Sequence, residues 1–334
     1  MVAMPVPGTP AGAPGPPPPF DPELASFART FRENWPSVTP AMIPLLRQPA
    51  ALPRPSDEEL AQNGAFTVET QTVPGPAGAP DVQLLICHPA GVGAPTALLY
   101  HFHGGGLFAG EARFDIGAFL TLAAGFPLAV IGVEYRLAPE TPHPGPVEDC
   151  YAGLVWIVEH AAELNIDPTR IVVEGSSGGA ALAAGVVLLA RDRGGPAILG
   201  QMLLSPMLDD RNDTPAVGQL AGVALWDGIT NATAWGALLG DGRGGSDVSP
   251  YAAPARAEDL SRLPATFIDV GSVEIFRDEA VSYATRLWQD GGAAELHVWA
   301  GGFHGFEHAL PDAALSRDAM AARSAWLRRL LRDR

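Results

Sequence analysis

The chain has 334 residues, of which 47% are hydrophobic and 17% charged, and its formal net charge is −16 at pH 7. This composition suits a soluble globular protein with one large domain or two modest ones. The acidic balance disfavours nucleic acid and anionic membranes as partners, and no apolar run reaches the roughly 18 residues of a membrane-spanning helix.

The N-terminal segment, residues 1–20, is rich in Pro, Gly and Ala, so we expect an extended or disordered tail. It lacks a basic start and its prolines prevent an apolar helix, so it does not resemble a signal peptide. A cytoplasmic location is therefore the default expectation. Residues 21–61 follow with a helix-like pattern, in which Phe27, Phe31 and Trp35 are spaced four apart before prolines interrupt it.

Strand patterns begin at residue 65. Residues 65–73 and 82–88 predict a hairpin, and short apolar runs then alternate with helical stretches. The apolar runs are 97–102, 127–134, 170–174, 200–205, 265–270 and 295–299. The helical stretches are 115–124, 147–165, 177–192, 278–290 and 311–331. Such alternation predicts βαβ units and a mostly parallel sheet, an α/β fold.

One stretch breaks this alternation. Residues 209–261 separate two strands by about fifty residues, which is too long for a simple crossover. We predict a helical insertion over the strand ends, where ligands bind in such sheets. It would join residues 21–61 as a cap, and residues 62–208 and 262–334 would form the α/β domain.

The two cysteines, Cys87 and Cys150, lie far apart in the sequence. Their spacing gives neither a disulfide framework nor a metal-binding motif. We expect two buried, reduced thiols.

A serine motif follows the predicted strand 170–174 and opens a helix. It reads Gly175-Ser176-Ser177-Gly178-Gly179. A G-x-S-x-G sequence between a strand and a helix predicts a tight turn that presents the central serine, Ser177, as a nucleophile. The N-terminus of the helix behind it favours developing negative charge. A plain Gly/Ser turn is the structural alternative, and Ser176 is a competing hydroxyl outside the central position.

A glycine motif follows the predicted strand 97–102. It reads His101-Phe102-His103-Gly104-Gly105-Gly106. Three glycines can direct backbone N–H groups at one oxyanion, and the Gly178 N–H would complete the set. The alternative interpretation is a glycine turn with no catalytic role. His101 and His103 share a strand face, but without a neighbouring carboxylate or cysteine they make a poor metal site, so no metal is expected.

A histidine for general-base chemistry stands on a glycine-flanked loop after the last strand. The loop reads Gly301-Gly302-Phe303-His304-Gly305-Phe306. The chain order serine, acid, histidine favours His304 as the base, whereas His297 and His308 are better explained as structural residues.

The acid is expected after the strand 265–270. The candidates are Asp269, Glu274, Asp278 and Glu279. The loop position favours Glu274, because Asp269 lies inside the strand and the other two begin the next helix, where carboxylates favour the macrodipole.

Together these motifs resemble the bacterial hormone-sensitive-lipase family of esterases. The matching segments are His103–Gly106, Glu134–Glu140 (Glu-Tyr-Arg-Leu-Ala-Pro-Glu), the serine motif, Phe276–Glu279 and Phe303–Phe306. The resemblance implies an eight-stranded α/β-hydrolase sheet with a helical cap, and hydrolysis of short- to medium-chain acyl esters without a cofactor. It implies that Gly105, Gly106 and Gly178 donate to the oxyanion, while Gly104 holds the turn.

The chain departs from the family pattern at two places. Glu274 stands where the family usually has aspartate. Around the nucleophile the family favours Gly-Asp-Ser-Ala-Gly, whereas this chain has Ser176 in place of the aspartate and Gly178 in place of the alanine.

Cap segments usually shape the acyl pocket, so Phe27, Phe31, Trp35 and Leu107 are candidates for its wall. The expected partner is a small-molecule ester, with a homodimer left open. An amidase or thioesterase on the same fold, or a non-catalytic ligand-binding protein, are the competing hypotheses.

Overall fold

The computed structural model describes residues 15–48, 54–123 and 126–332. Its centre is one eight-stranded sheet in the order β1-β2-β4-β3-β5-β6-β7-β8. Strand β2 pairs antiparallel with β1 and β4, and all other pairs are parallel. The strands are β1 (Phe66–Val73), β2 (Val82–Pro89), β3 (Thr96–Phe102), β4 (Leu128–Glu134), β5 (Ile166–Ser176), β6 (Gly200–Leu204), β7 (Ala265–Gly271) and β8 (Ala294–Trp299). The predicted hairpin and mostly parallel sheet are confirmed.

Helices cover both faces of this sheet, because successive residues of each buried strand face opposite sides. The helices are α1 (Ala25–Asn34), α2 (Ile43–Leu46), α3 (Asp57–Leu60), α4 (Ile116–Ala123), α5 (Gly145–Glu159), α6 (Gly178–Arg193), α7 (Pro215–Gln219), α8 (Gly228–Leu239), α9 (Arg277–Gln289), α10 (Phe306–Ala309) and α11 (Ala314–Arg332). Leu98 joins the core beneath α5, α6 and α9, whereas Leu99 joins the core beneath α4 and α11.

Helix α6 starts directly after Ser177 and lies at the centre of the fold. Its residues from Gly178 to Ala190 are all buried, which explains why its sequence is apolar on every side. The helix ends where Gly194 adopts a left-handed conformation, a common helix terminator. A fully buried helix gives the residue at its N-terminus a rigid support.

The two segments predicted to form a cap contact each other. The Val38 N–H donates to Thr230 Oγ1 at 2.9 Å, and Thr233 Oγ1 donates to the Val38 carbonyl at 2.9 Å. Asp227 caps α8 and also accepts from Ser37. The end of the N-terminal segment differs from the prediction, because Leu60 of α3 packs into the sheet core.

Other differences concern the chain ends and element boundaries. Residues 1–14 of the predicted tail lie outside the described residues, and residues 15–20 form neither helix nor strand. Strand β5 extends beyond the predicted 170–174, and the short helix α10 was not predicted. Both cysteines are free and buried, as expected. Among the described helices, none has the length and apolar character needed to cross a membrane.

Candidate active site

Ser177 lies in the turn between β5 and α6 with a φ of 57° and a ψ of −118°. This conformation is strained for a residue with a side chain and is typical of a nucleophile on a sharp strand-to-helix turn. The Ser177 N–H donates to the Leu204 carbonyl at 2.8 Å, which fixes the turn to β6. A Cβ on Gly179 would lie 2.0 Å from the Phe102 carbonyl oxygen, so this position requires glycine.

His304 lies on the loop after β8, with its Nε2 2.9 Å from Ser177 Oγ. Two aromatic rings flank the imidazole, Trp226 at 5.8 Å and Phe276 at 5.2 Å between ring centroids. The loop is followed by Gly305 at a φ of 73°, which lets the chain turn into α10. The predicted base and nucleophile are therefore within hydrogen-bonding distance.

Glu274 lies on the loop after β7, and only 1% of it is exposed. Its Oε1 faces His304 Nδ1 at 3.5 Å. Its Oε2 accepts from Ser205 Oγ at 3.0 Å and from the Gly271 N–H at 3.2 Å. Two donors thus hold one carboxylate oxygen and direct the other at the imidazole.

The other acid candidates are engaged elsewhere. Asp269 accepts from Arg323, and Asp278 accepts from the Ala216 N–H at 2.7 Å. Glu279 accepts from the Leu208 N–H at 2.9 Å. Glu274 is the candidate whose carboxylate faces His304.

The glycine loop after β3 packs directly against the serine turn. A Cβ on Gly178 would lie 2.9 Å from the Leu107 nitrogen and 3.0 Å from Gly106 Cα. Within the described ranges, the N–H groups of Gly105, Gly106 and Gly178 donate to no protein acceptor. The Gly104 N–H differs, because it donates to Asp115 Oδ2 at 3.2 Å. Gly104 therefore holds the turn and is not free to donate to an oxyanion.

The two histidines before the glycines are both fully buried. Burial lowers the pKa of His103 to about 4, and its ring stacks on Tyr135 at 4.1 Å. The expectation that no carboxylate lies near this pair is wrong for His101, because Glu174 and Asp115 both contact its ring. Even so, the described residues contain no group of three or more His, Cys, Asp or Glu side chains arranged for a metal.

A cavity of about 550 Å³ opens above Ser177 and His304. Phe27, Phe31 and Trp35 line it, and Phe303 continues their row of stacked rings at spacings of 5.7 to 6.0 Å. The prediction that Leu107 forms part of the wall is wrong. Leu107 is fully buried in the core under the glycine loop, where its φ is 65°.

Several residues of the site were missed from the sequence. Phe108 and Trp226 stack at 6.1 Å and both line the cavity, and Ser205 holds Glu274. Of these residues only Ser205 could have been found from the sequence. It follows a parallel strand that lies beside the strand preceding Glu274. Trp226 lies in the long insertion, whose position over the site no local pattern fixes.

Comparisons with known proteins show the family to which this fold belongs. A family profile described as alpha/beta hydrolase fold matches residues 99–308. Esterase LipI of Mycobacterium tuberculosis is 32% identical over 69% of this chain and 73% of its own length. Carboxylesterase NlhH of the same organism is 33% identical over 72% of this chain and 75% of its own length. The solved structure of a bacterial heroin esterase is 38% identical, covers 94% of this chain and 98% of its own, and superposes with a TM-score of 0.86.

Proposed function

The chain belongs to the hormone-sensitive-lipase family of α/β-hydrolases and is a carboxylesterase, and we propose that it works through a triad of Ser177, His304 and Glu274. The observation that carries the triad is the alignment of three side chains from three separate loops. The serine hydroxyl and the imidazole are 2.9 Å apart, and the carboxylate faces the far ring nitrogen at 3.5 Å.

The proposed reaction is a two-step acyl transfer. Ser177 Oγ attacks the ester carbonyl while its proton moves to His304 Nε2, and the imidazolium then gives that proton to the leaving alcohol. Glu274 holds the Nδ1–H tautomer and stabilises the imidazolium. Water then attacks the acyl-enzyme by the same route, with His304 again acting as base.

The tetrahedral intermediates place negative charge on the former carbonyl oxygen. In this proposal the N–H groups of Gly105, Gly106 and Gly178 donate hydrogen bonds to that oxyanion, and the dipole at the N-terminus of α6 also stabilises it. Each donor would contribute about 3–4 kcal/mol if its loss reduces the rate by about 10²–10³.

The substrates we propose are esters of short to medium acyl chains. The cavity of about 550 Å³ is lined mainly by aromatic and aliphatic side chains, and a pocket of this size fits a small ligand with few polar contacts. Residues 21–47 and 209–261 would act as the cap, since both contribute to this lining. The cytoplasmic location stays a prediction.

Hydrolysis of p-nitrophenyl esters from acetate to palmitate tests this function. Turnover is expected to be highest for the short and medium chains and to be abolished in Ser177→Ala. The matched comparison is Ser176→Ala, which removes the neighbouring hydroxyl and should lower turnover several-fold without abolishing it.

Anilides and thioesters with the same acyl groups separate the alternatives. Faster turnover of the anilide or the thioester than of the ester would point to an amidase or a thioesterase. Absence of wild-type turnover on every substrate would contradict the proposal and favour a ligand-binding protein.

A further inference from the structure

A buried cluster of three titratable side chains lies behind the glycine loop. His101 and Glu174 are neighbours across the β3–β5 pair, and their Nδ1 and Oε2 atoms are 2.5 Å apart. The other ring nitrogen, Nε2, is 2.7 Å from Asp115 Oδ1. Because a carboxyl oxygen faces each nitrogen, this geometry suits a protonated ring that donates at both.

Each end of this cluster touches the catalytic machinery. Ser176, the residue before the nucleophile, donates its hydroxyl to Glu174 Oε1 at 3.3 Å. At the other end, Asp115 Oδ2 accepts from the Gly104 N–H at 3.2 Å. The cluster therefore connects the serine turn to the first glycine of the loop that carries the proposed oxyanion donors.

Electrostatic interactions within the cluster favour a protonated His101, which can donate to both carboxyl groups. Burial opposes a charge on His101, but Asp115 and Glu174 outweigh it and raise the pKa of the imidazole to about 10. Burial also raises the pKa of Glu174, to about 7, although His101 opposes the rise. Replacing buried ion pairs by apolar residues often leaves stability unchanged or improves it, so folding alone does not account for three titratable groups here.

The surroundings leave His101 little freedom. Phe119 packs against its ring at 4.7 Å between centroids, and no part of the side chain is exposed. His101 has one acceptor on β5 and another on the segment before α4. It therefore sets the separation between those two elements. Movement of the ring would shift both the serine turn and the glycine loop.

Given the esterase activity proposed above, we propose that His101 is a positioning residue that fixes the distance between Ser177 and the oxyanion donors. Its loss leaves the cavity intact and affects the transition state more than substrate binding. A displacement of about 1 Å at a reacting group can cost roughly 10²-fold in rate. The expected signature is a reduced kcat with little change in KM.

The experiment compares His101→Gln, Asp115→Asn and Ser176→Ala on p-nitrophenyl butyrate. We expect kcat to fall by about 10² in the first two variants and by several-fold in the third. KM should stay within about threefold. Asp149→Asn is the control, because it removes a buried carboxylate, paired with Arg136, at a different place in the fold.

A second readout uses an alkyl trifluoromethyl ketone as an inhibitor. Ser177 Oγ adds to its carbonyl carbon, the hydroxyl proton passes to His304, and the carbonyl oxygen becomes an oxyanion held by the loop. The inhibition constant should rise in parallel with the loss of kcat in the His101 and Asp115 variants. A merely structural role would lower the melting temperature without this parallel.

The two proposals fail in distinguishable ways. Absence of wild-type turnover, or turnover unaffected by Ser177→Ala, contradicts the proposed function. Wild-type turnover with unchanged kcat and inhibition constant in folded His101→Gln overturns the positioning role, and so does an equal loss of kcat in Asp149→Asn. If His101→Gln fails to fold, the Asp115 and Ser176 variants decide the question by the same two measurements.

Discussion

The sharpest test of the triad is Glu274→Gln. The two donors at Oε2, Ser205 Oγ and the Gly271 N–H, determine how the new amide is oriented. Both need an acceptor, so the amide oxygen takes the Oε2 position and the NH₂ group occupies the Oε1 position, which is 3.5 Å from His304 Nδ1. An NH₂ group there can donate only to an unprotonated Nδ1.

That orientation forces the wrong tautomer on the base. With Nδ1 unprotonated, the neutral imidazole carries its proton on Nε2, which faces Ser177 Oγ at 2.9 Å and cannot accept the hydroxyl proton. A wrong tautomer of this kind costs about 10⁴ in kcat, equivalent to about 5 kcal/mol in the activation free energy. The volume of the side chain is unchanged, so the folded structure should persist.

The assay is steady-state hydrolysis of p-nitrophenyl butyrate, with circular dichroism to confirm folding. Asp278→Asn is the matched control. That carboxylate accepts hydrogen bonds from the Ala216 N–H and from Arg277, so it should be dispensable for catalysis. A loss of less than about tenfold in Glu274→Gln would refute the tautomer argument. A large loss in Asp278→Asn with normal Glu274→Gln would transfer the acid role to Asp278.

Three further predictions concern packing and charge. Gly179→Ala should abolish activity, because its Cβ would lie 2.0 Å from a backbone oxygen, whereas Gly178→Ala, at 2.9 Å from a backbone nitrogen, should lower kcat by at most about 10²-fold. Phe31→Ala should reduce kcat/KM for octanoate relative to acetate about tenfold, because it removes apolar surface from the cavity lining. Burial opposes the charge on His101, but its flanking carboxylates raise its pKa to about 10. A raised folded-state pKa adds stability that is complete below about 6.5 and is lost as the pH rises toward 10. Without His101 the pKa of Glu174 would rise further, because burial raises it and His101 lowers it, so the comparison variant replaces both residues. Urea unfolding from pH 7.5 to pH 10 should therefore show a steeper loss for the wild type than for His101→Gln/Glu174→Gln.

Each of these predictions has a contradicting result. An active Gly179→Ala enzyme would mean that the serine turn is looser than the contacts indicate. Equal losses on octanoate and acetate in Phe31→Ala would remove this ring from the acyl-binding wall. Parallel pH profiles of unfolding would mean that His101 is not a buried cation.

The fold could be predicted, and the proposed catalytic residues could be selected, because their signals are local. The strands are short apolar runs, and the turns around Ser177 and His304 depend on glycines adjacent in sequence. Ser177 needs Gly179 because α6 begins against a backbone carbonyl of the neighbouring loop. Such requirements act within a few residues, so they leave a readable pattern.

The rest of the site depends on contacts between distant segments. Trp226 reaches His304 only because α8 and its preceding loop fold back over the sheet, and the sequence does not encode that path locally. The position of Leu107 after the glycines predicts a place in the cavity wall, but the residue lies buried in the core with a φ of 65°. The sequence near His101 shows no carboxylate partner, because Asp115 and Glu174 lie 14 and 73 residues further along the chain.

The glutamate at the proposed acid position, where the family usually has aspartate, has a physical consequence in the structure. Glutamate has one more rotatable bond than aspartate, so a free side chain would lose more rotamer freedom on being held toward the imidazole. Ser205 and the Gly271 N–H counter that loss by binding Oε2, and Ser205 itself sits at a φ of 43° at the end of β6. The longer acid thus depends on a donor from a neighbouring strand. Ser205→Ala should therefore weaken the triad through Glu274, whereas Ser205 has no contact of its own with His304 among the described hydrogen bonds.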